Sequence, residues 1–244
     1  MTARVTLATA NRVLRQLRRD PRTLALVFLV PPLLITLFRY VFNGQPAAFD
    51  RVGGPMVGIF PFSSMFVVTS IAMLRERTSG TLERLMSLPL ARLDLLLGYG
   101  LAFAAVAAVQ ASITAGVAFG LLGLDVQGSV WLVVLLAIAN ATLGMSLGLF
   151  VSAFARTEFQ AVQFMPAVVF PQILLCGLIQ PRANMEHVLR AISYVLPLTW
   201  AYDALDHAVR GSSGGAVARD AAIVLGVTAL ALGLGATTLR RRTA

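Results

Sequence analysis

The sequence predicts an all-α integral membrane protein: six transmembrane helices, an N-terminal amphipathic interfacial helix, and an outer re-entrant or interfacial segment between spans five and six. The first reason is composition. The chain of 244 residues is 57% hydrophobic and only 13% charged, with a mean hydropathy of +0.79. A soluble domain carries about 25% charged and 45–50% apolar residues, and water does not solvate such a surplus of hydrocarbon. The second reason is a series of charge-free runs near the ~20 residues that a helix needs to cross a bilayer. The third is the placement of arginine, which alternates between the loops.

Residues 1–22 come first. Val5, Ala10, Val13, Leu14 and Leu17 fall on one helical stripe, opposed by Arg12, Arg15, Arg18 and Arg19. That is the pattern of a basic helix lying on a membrane surface. The apolar run that follows resembles a signal peptide but has no clean small-x-small cleavage site, so it is read as an uncleaved first span, 24–42. Arg39 snorkels at its end and Pro31-Pro32 kink it. Span two is 56–74. Spans three and four, 96–120 and 130–154, form a hairpin turning around Asp125-Val126-Gln127-Gly128. Span five, 160–180, contains Pro166 and Pro171, and span six is 221–239. Between them, Ala191 to Tyr202 is apolar but too short to cross, which suits a re-entrant or interfacial helix pair. The whole of 1–244 reads as a single transmembrane domain.

The loops that share one side, including 75–94, carry Arg4, Arg12, Arg15, Arg18, Arg19, Arg22, Arg75, Arg77, Arg84, Arg92, Arg156 and Arg240-Arg241-Arg242, fourteen in all. The other side has six: Arg39, Arg51, Arg182, Arg190, Arg210 and Arg219. The positive-inside rule then puts both termini in the cytoplasm, which requires an even number of spans.

Several chemistries lack residues. All 20 basic residues are Arg, so the phosphate-binding loop, which needs a lysine, is excluded in its usual form. The net charge of +9 does not indicate nucleic acid, because the arginines lie between apolar runs. One cysteine, Cys176, precludes an internal disulfide. His187 and His207 are far apart and no cluster has metal-ligand spacing. Asp203, Asp206 and His207 share a helical turn and read as a wet face. No serine is expected on a nucleophile elbow. No acid falls inside spans two to six, which weakens an ion-coupled transporter. Gln110, Asn140, Gln160, Gln163 and Gln172 read as interhelical hydrogen bonders. Gly116-x-x-x-Gly120, Gly144-x-x-x-Gly148 and Ala231-x-x-x-Gly235 are candidate close-packing stripes.

The most informative segment is the inner loop 75–94. Gly80 caps a short helix, Glu83 sits in its first turn where an acid suits the helix dipole, and Pro89 ends it. Leu82, Leu85 and Met86 share a face. On physical grounds this is either a solvated loop or a docking helix for a soluble partner, and the pattern alone leaves both open.

The run R-E-R-x-x-G-T-L-E-R-L-x-x-x-P-L-x-R-L-x-L-L-L-G, from Arg75 to Gly98, resembles the signature of the ABC type-2 (ABC-2) permease family. Leu196-Pro197-Leu198-Thr199-Trp200-Ala201-Tyr202-Asp203-Ala204-Leu205 is similar to that family's second recurring pattern. The nearest subgroup in flavour is the daunorubicin-resistance-like multidrug permeases of actinobacteria. The resemblance implies a plasma-membrane permease subunit of a bacterial exporter, paired with a second permease subunit and two copies of a cytoplasmic ABC ATPase. That partner would bind the ATP and Mg, with no cofactor in this chain. It implies a coupling helix near Gly80, where Arg75, Arg77, Gly80, Thr81, Glu83 and Arg84 contact the ATPase. Phe60, Phe62, Phe66, Phe164 and Phe170, on spans two and five, are the candidate lining of a path for a lipophilic drug-like or lipid substrate, or else ordinary packing. Rival readings are a proton-driven drug transporter and a membrane scaffold that transports nothing.

Overall fold

The structure, a computed structural model, describes residues 3–86, 92–212 and 214–238, apart from the side chains of 82, 83, 86 and 92. Among these residues five helices are long and apolar enough to cross a membrane. They are α2 (Pro21–Val41), α3 (Pro46–Thr78), α5 (Arg92–Gly120), α6 (Val130–Val151, continued by a 3₁₀ turn to Phe154) and α11 (Gly214–Thr238). Shorter elements are α1 (Ala3–Arg18), α4 (Thr81–Met86), α7 (Glu158–Phe164), α8 (Phe170–Leu175), α9 (His187–Ser193) and α10 (Pro197–Val209).

α3 and α6 form the spine. They run in parallel and touch backbone to backbone through Gly144 and Gly148. A Cβ on Gly144 would come within 2.1 Å of the Phe62 carbonyl oxygen, and one on Gly148 within 2.4 Å of that of Phe66. One step earlier on the same seam, Asn140 faces Gly58, where a Cβ would lie 2.9 Å from Nδ2. This four-residue pitch matches two stripes of one helical face, as small-residue packing requires. Gly144-Met145-Ser146-Leu147-Gly148 also spells G-x-S-x-G. It lies inside α6, with the Ser146 hydroxyl donating to the Leu143 carbonyl at 2.8 Å, whereas a nucleophile elbow needs a strand-to-helix turn. Gly116 and Gly120, by contrast, meet no atom within 4 Å and pack nothing.

The segment expected as a fifth span does not form one long helix. α7 is followed by a π-turn at Met165–Val169 and then α8. Pro166 and Pro171 have no N–H to donate, so the regular ladder cannot continue through them. Helical backbone therefore covers Glu158–Leu175 and stops before Gly177, whose φ of +109° suits glycine alone.

Away from the arginine-rich end, α9 and α10 fold over the bundle. Asp203 is 8% exposed, so it does not belong to a wet face. It accepts two hydrogen bonds from Arg182 Nη2, at 2.8 and 2.7 Å. Burial pushes its carboxyl up from the ordinary range against the pull of Arg182. Arg210 pairs with Asp206, and His207 Nδ1 lies 3.1 Å from Asp220. The turn between α5 and α6 closes on the same cap, because the N–H groups of Gln127 and Gly128 donate to the Val209 carbonyl, one of the orphan acceptors at the end of α10.

Candidate functional site

The arginine-rich end is built from consecutive residues that a helix sends in different directions. Arg75, Glu76 and Arg77 close α3, and successive residues on a helix point about 100° apart. Arg75 reaches α7, donating from Nε and Nη2 to the two Glu158 oxygens at 2.7 and 2.9 Å. Glu76 reaches α1. Its Oε1 accepts from Gln16 at 3.2 Å and lies 3.6 Å from Arg12 Nη1. Arg12 in turn donates to the hydroxyl of Tyr99 on α5. Arg77 reaches α11, donating to Thr238 Oγ1 at 3.3 Å. Three adjacent side chains thus tie α3 to α1, α7 and α11, and through Arg12 to α5.

α1 completes the cluster by crossing the start of α5 at Gly98. A Cβ there would come within 2.5 Å of Thr9 Cβ and 2.9 Å of the Thr6 carbonyl. Thr9, Ala10 and Val13 face the protein, Leu7 and Leu14 form an exposed apolar edge, and Arg4, Arg15, Arg18 and Arg19 are exposed on the remaining face. The stripe read from the sequence is therefore divided between protein and surface.

Beyond the cluster the chain turns at Gly80, whose φ is +72°. α4 follows, with the Arg84 N–H donating to the Gly80 carbonyl at 3.1 Å. Thr81 Oγ1 and Ser79 Oγ are hydrogen-bonded at 3.0 Å. Arg84 is exposed on α4, while the side chain of Glu83 and residues 87–91 lie outside the described residues. Among the six residues expected to meet a partner, Arg75 and Arg77 are thus turned toward the chain itself. Thr81 and Arg84 sit on α4, with Thr81 partly buried and Arg84 exposed.

Above this cluster a groove of about 760 Å³ runs between α1, α2 and α3. Its polar end carries Asp20, Arg75 and Glu76, and its walls include Leu26, Val30, Phe60 and Val67. Of the five phenylalanines expected on a pathway, Phe60 alone lines it, stacked edge-on to Phe38 at 5.7 Å. Phe62 and Phe66 are wholly buried, with their backbones against the α6 glycines. Phe164 is half-buried and Phe170 is 49% exposed. The polar residues of the bundle divide as well. Gln110 donates to the Val27 carbonyl on α2 at 2.6 Å and to Ser64 on α3 at 2.9 Å. Gln172 accepts from the Leu198 N–H at 3.2 Å. Asn140 makes no side-chain hydrogen bond among the described residues. Sequence reading missed Gln16, Glu158 and Thr238, which the R-E-R run engages, and Tyr99, which it reaches through Arg12, and it read Arg12 only as part of a surface-facing charged stripe. The one signal available was the run itself, since charges of both signs at a helix end require partners on several sides.

Residues 4–209 match the family described as ABC-2 type transporter. The chain belongs to that family. Among curated relatives, the probable multidrug ABC transporter permease YbhS of Escherichia coli is 32% identical over 174 residues, covering 68% of this chain and 44% of that protein. ABC transporter G family member 20 of Dictyostelium discoideum is 28% identical over 163 residues, 67% of this chain and 22% of that protein. The inner membrane transport permease YhhJ of E. coli is 28% identical over 168 residues, 68% and 44% respectively. This ABC-2 chain spans less than half the length of each of these relatives.

Proposed function

We propose that the chain is the membrane-spanning permease subunit of an ATP-binding-cassette exporter, moving a lipophilic drug-like or lipid substrate outward on energy from a separate ATPase. What carries this reading is the ABC-2 match over residues 4–209, joined to a lysine-free sequence that excludes the phosphate-binding loop in its usual form. The broken segment 160–180 counts as a sixth crossing. With it, the fourteen-to-six arginine asymmetry sets both termini and α4 in the cytoplasm. The subunit would sit in a bacterial plasma membrane, with two cytoplasmic ATPase copies holding the ATP and Mg.

α4 serves as the coupling helix in this reading. Thr81, Glu83 and Arg84 meet the ATPase, and Arg75, Glu76 and Arg77 pass its displacement to α1, α7 and α11. A second permease subunit covers α7 and α8, where Phe159, Val162 and Phe170 are exposed together with the amide of Gln163. An amide facing hydrocarbon lacks partners, and another protein surface supplies them. Phe60, Phe164 and Phe170 remain as residues of the path.

Glu83→Ala and Glu83→Arg test the coupling. Both variants are expected to insert normally, yet to lose ATP-dependent export from vesicles carrying the cognate ATPase. Normal export by both removes Glu83 from the mechanism. Transport that survives ATP depletion but not collapse of the proton gradient replaces the proposal with secondary transport. No substrate movement with the ATPase present replaces it with a scaffold.

A further inference from the structure

The groove between α1, α2 and α3 has the build of a site for an amphiphile. It extends along α2 from Asp20 to Leu34, which at 1.5 Å per residue is about 21 Å. Its walls are apolar: Leu26, Val27, Val30, Leu34, Phe60 and Val67. Of the hydroxyls that reach this depth, Ser63 donates to the Ile59 carbonyl and Ser64 accepts from Gln110. Polar side chains that offer charge stand only at one end. A compact polar ligand would leave most of such a groove wet, whereas a chain or ring system with one polar head matches its length and its asymmetry.

The sign of that head follows from the charges. Arg75, the one cation among the lining residues, is occupied by both oxygens of Glu158. Glu76 and Asp20 supply carboxylates. Glu76 shares Oε1 with Arg12 and Gln16, and its buried Oε2 has no hydrogen-bond donor among the described residues. Asp20 makes no salt bridge among them, and Arg75 acts on it only from beyond salt-bridge distance. The hydroxyl and amide of Thr23 hold its carboxyl below the ordinary range, so it stays ionised. Hydrogen-bond acceptors with a net negative charge therefore wait at the end of an apolar slot, and the head that satisfies them is a donor with positive charge.

We propose that this groove binds an ammonium-headed amphiphile, its head between Asp20 and Glu76 and its apolar body along α2 and α3. Two sources share that chemistry: an aminophospholipid of the inner leaflet and a lipophilic amine destined for export. Binding stands on the groove alone, and only its place in a transport cycle rests on the export reading above.

The test uses the purified full chain in nanodiscs of phosphatidylglycerol, without ATPase. Octadecylamine, octadecanol and octadecyl sulfate compete for binding with a fluorescent long-chain amine. The amine is expected to bind at least about tenfold more tightly than the other two, and Asp20→Asn with Glu76→Gln to abolish that preference. Val30→Trp, at a partly exposed position that fills the groove without entering the core, is expected to eliminate binding. Equal affinity for all three heads overturns the proposal, as does undiminished binding by Val30→Trp. If Val30→Trp does not fold, the headgroup comparison on the unaltered chain still decides. Native mass spectrometry separates the sources: a co-purifying aminophospholipid that added amine displaces marks the lipid, and an empty groove that fills on adding amine marks the exported compound. Head-selective binding without ATP-driven movement leaves the site standing and refutes export. Amine export by vesicles in which Val30→Trp changes nothing does the reverse.

Discussion

The most apolar stretches of α2 and α6 are equally hydropathic, yet 22% of that stretch is buried in the chain for α2 against 61% for α6. Hydropathy therefore identifies a membrane helix without saying what it touches. The difference lies in small residues. α6 presents Ala137, Ala141, Gly144 and Gly148 on one side, and α3 approaches until carbonyl oxygens meet α-carbons. α2 carries Leu29, Leu33 and Leu37 outward, where they suit lipid or a second subunit as well as they would suit this chain. In a bilayer, apolar surface alone does not drive helices together, because lipid tails are as apolar as leucine.

The largest expected effect breaks the tight side of that contrast. Gly144→Leu forces side-chain atoms into the Phe62 carbonyl and separates α3 from α6, a loss of about 3 kcal/mol or more. Gly116→Leu, at a glycine with open space, is expected to stay within about 0.5 kcal/mol of the parent. Thermal unfolding in detergent compares the two. Equal losses would mean that the seam is not what holds the bundle.

The next effect lies in the cap that α9 and α10 form. Arg182→Ala leaves the buried Asp203 carboxylate unpaired, at an expected loss of about 2–3 kcal/mol, somewhat below a wholly buried pair since Arg182 is partly exposed. Burial already raises the Asp203 carboxyl above its unfolded value. Without Arg182 it rises further, so the folded state binds a proton more readily than the unfolded one. The deficit of the variant is expected to shrink as pH falls through that raised range, as urea titrations at several pH values would show. A pH-independent deficit would place the loss in packing against Tyr194, over whose ring Arg182 also lies.

The long helices were legible in the sequence because runs near twenty apolar residues have few other uses. The break near Pro166 was half legible: the prolines were visible, the π-turn was not, since its register depends on what α7 packs against. Phe62 and Phe66 show where reading one helix at a time fails. A glycine stripe at a four-residue pitch requires a partner at the same pitch, and Gly58, Phe62 and Phe66 have it. Choosing that partner takes two helices in register, which composition does not supply. The arginine-rich end was legible as charge and illegible as wiring. Glu158 and Arg75 are 83 residues apart in the chain, and nothing local to either points to the other.

Inside that wiring, Glu76→Ala removes the acceptor shared by Arg12 and Gln16 and is expected to destabilise by about 1–2 kcal/mol. Glu76→Gln keeps the Gln16 hydrogen bond and loses less. Loosening should appear at α1, as faster amide exchange over residues 5–17 with α6 unchanged. Uniform exchange across the chain would mean that Glu76 does not hold α1 locally.

The smallest effect belongs to the best-formed pair. Arg75 and Glu158 make two short hydrogen bonds, but both side chains are more than half exposed. Water and salt screen such a pair, and side-chain ordering opposes it, so Arg75→Gln is expected to change stability by less than about 1 kcal/mol. The hydrogen bonds from Arg75 hold the Glu158 carboxyl below the ordinary carboxylate range. The contribution of the pair is therefore complete above the unfolded carboxylate value and is lost as pH falls through the lowered one. Parent and variant should differ slightly at neutral pH and converge in acid. A difference that persists at low pH, or export that fails while stability is untouched, would assign Arg75 to the motion of α7 rather than to its anchoring.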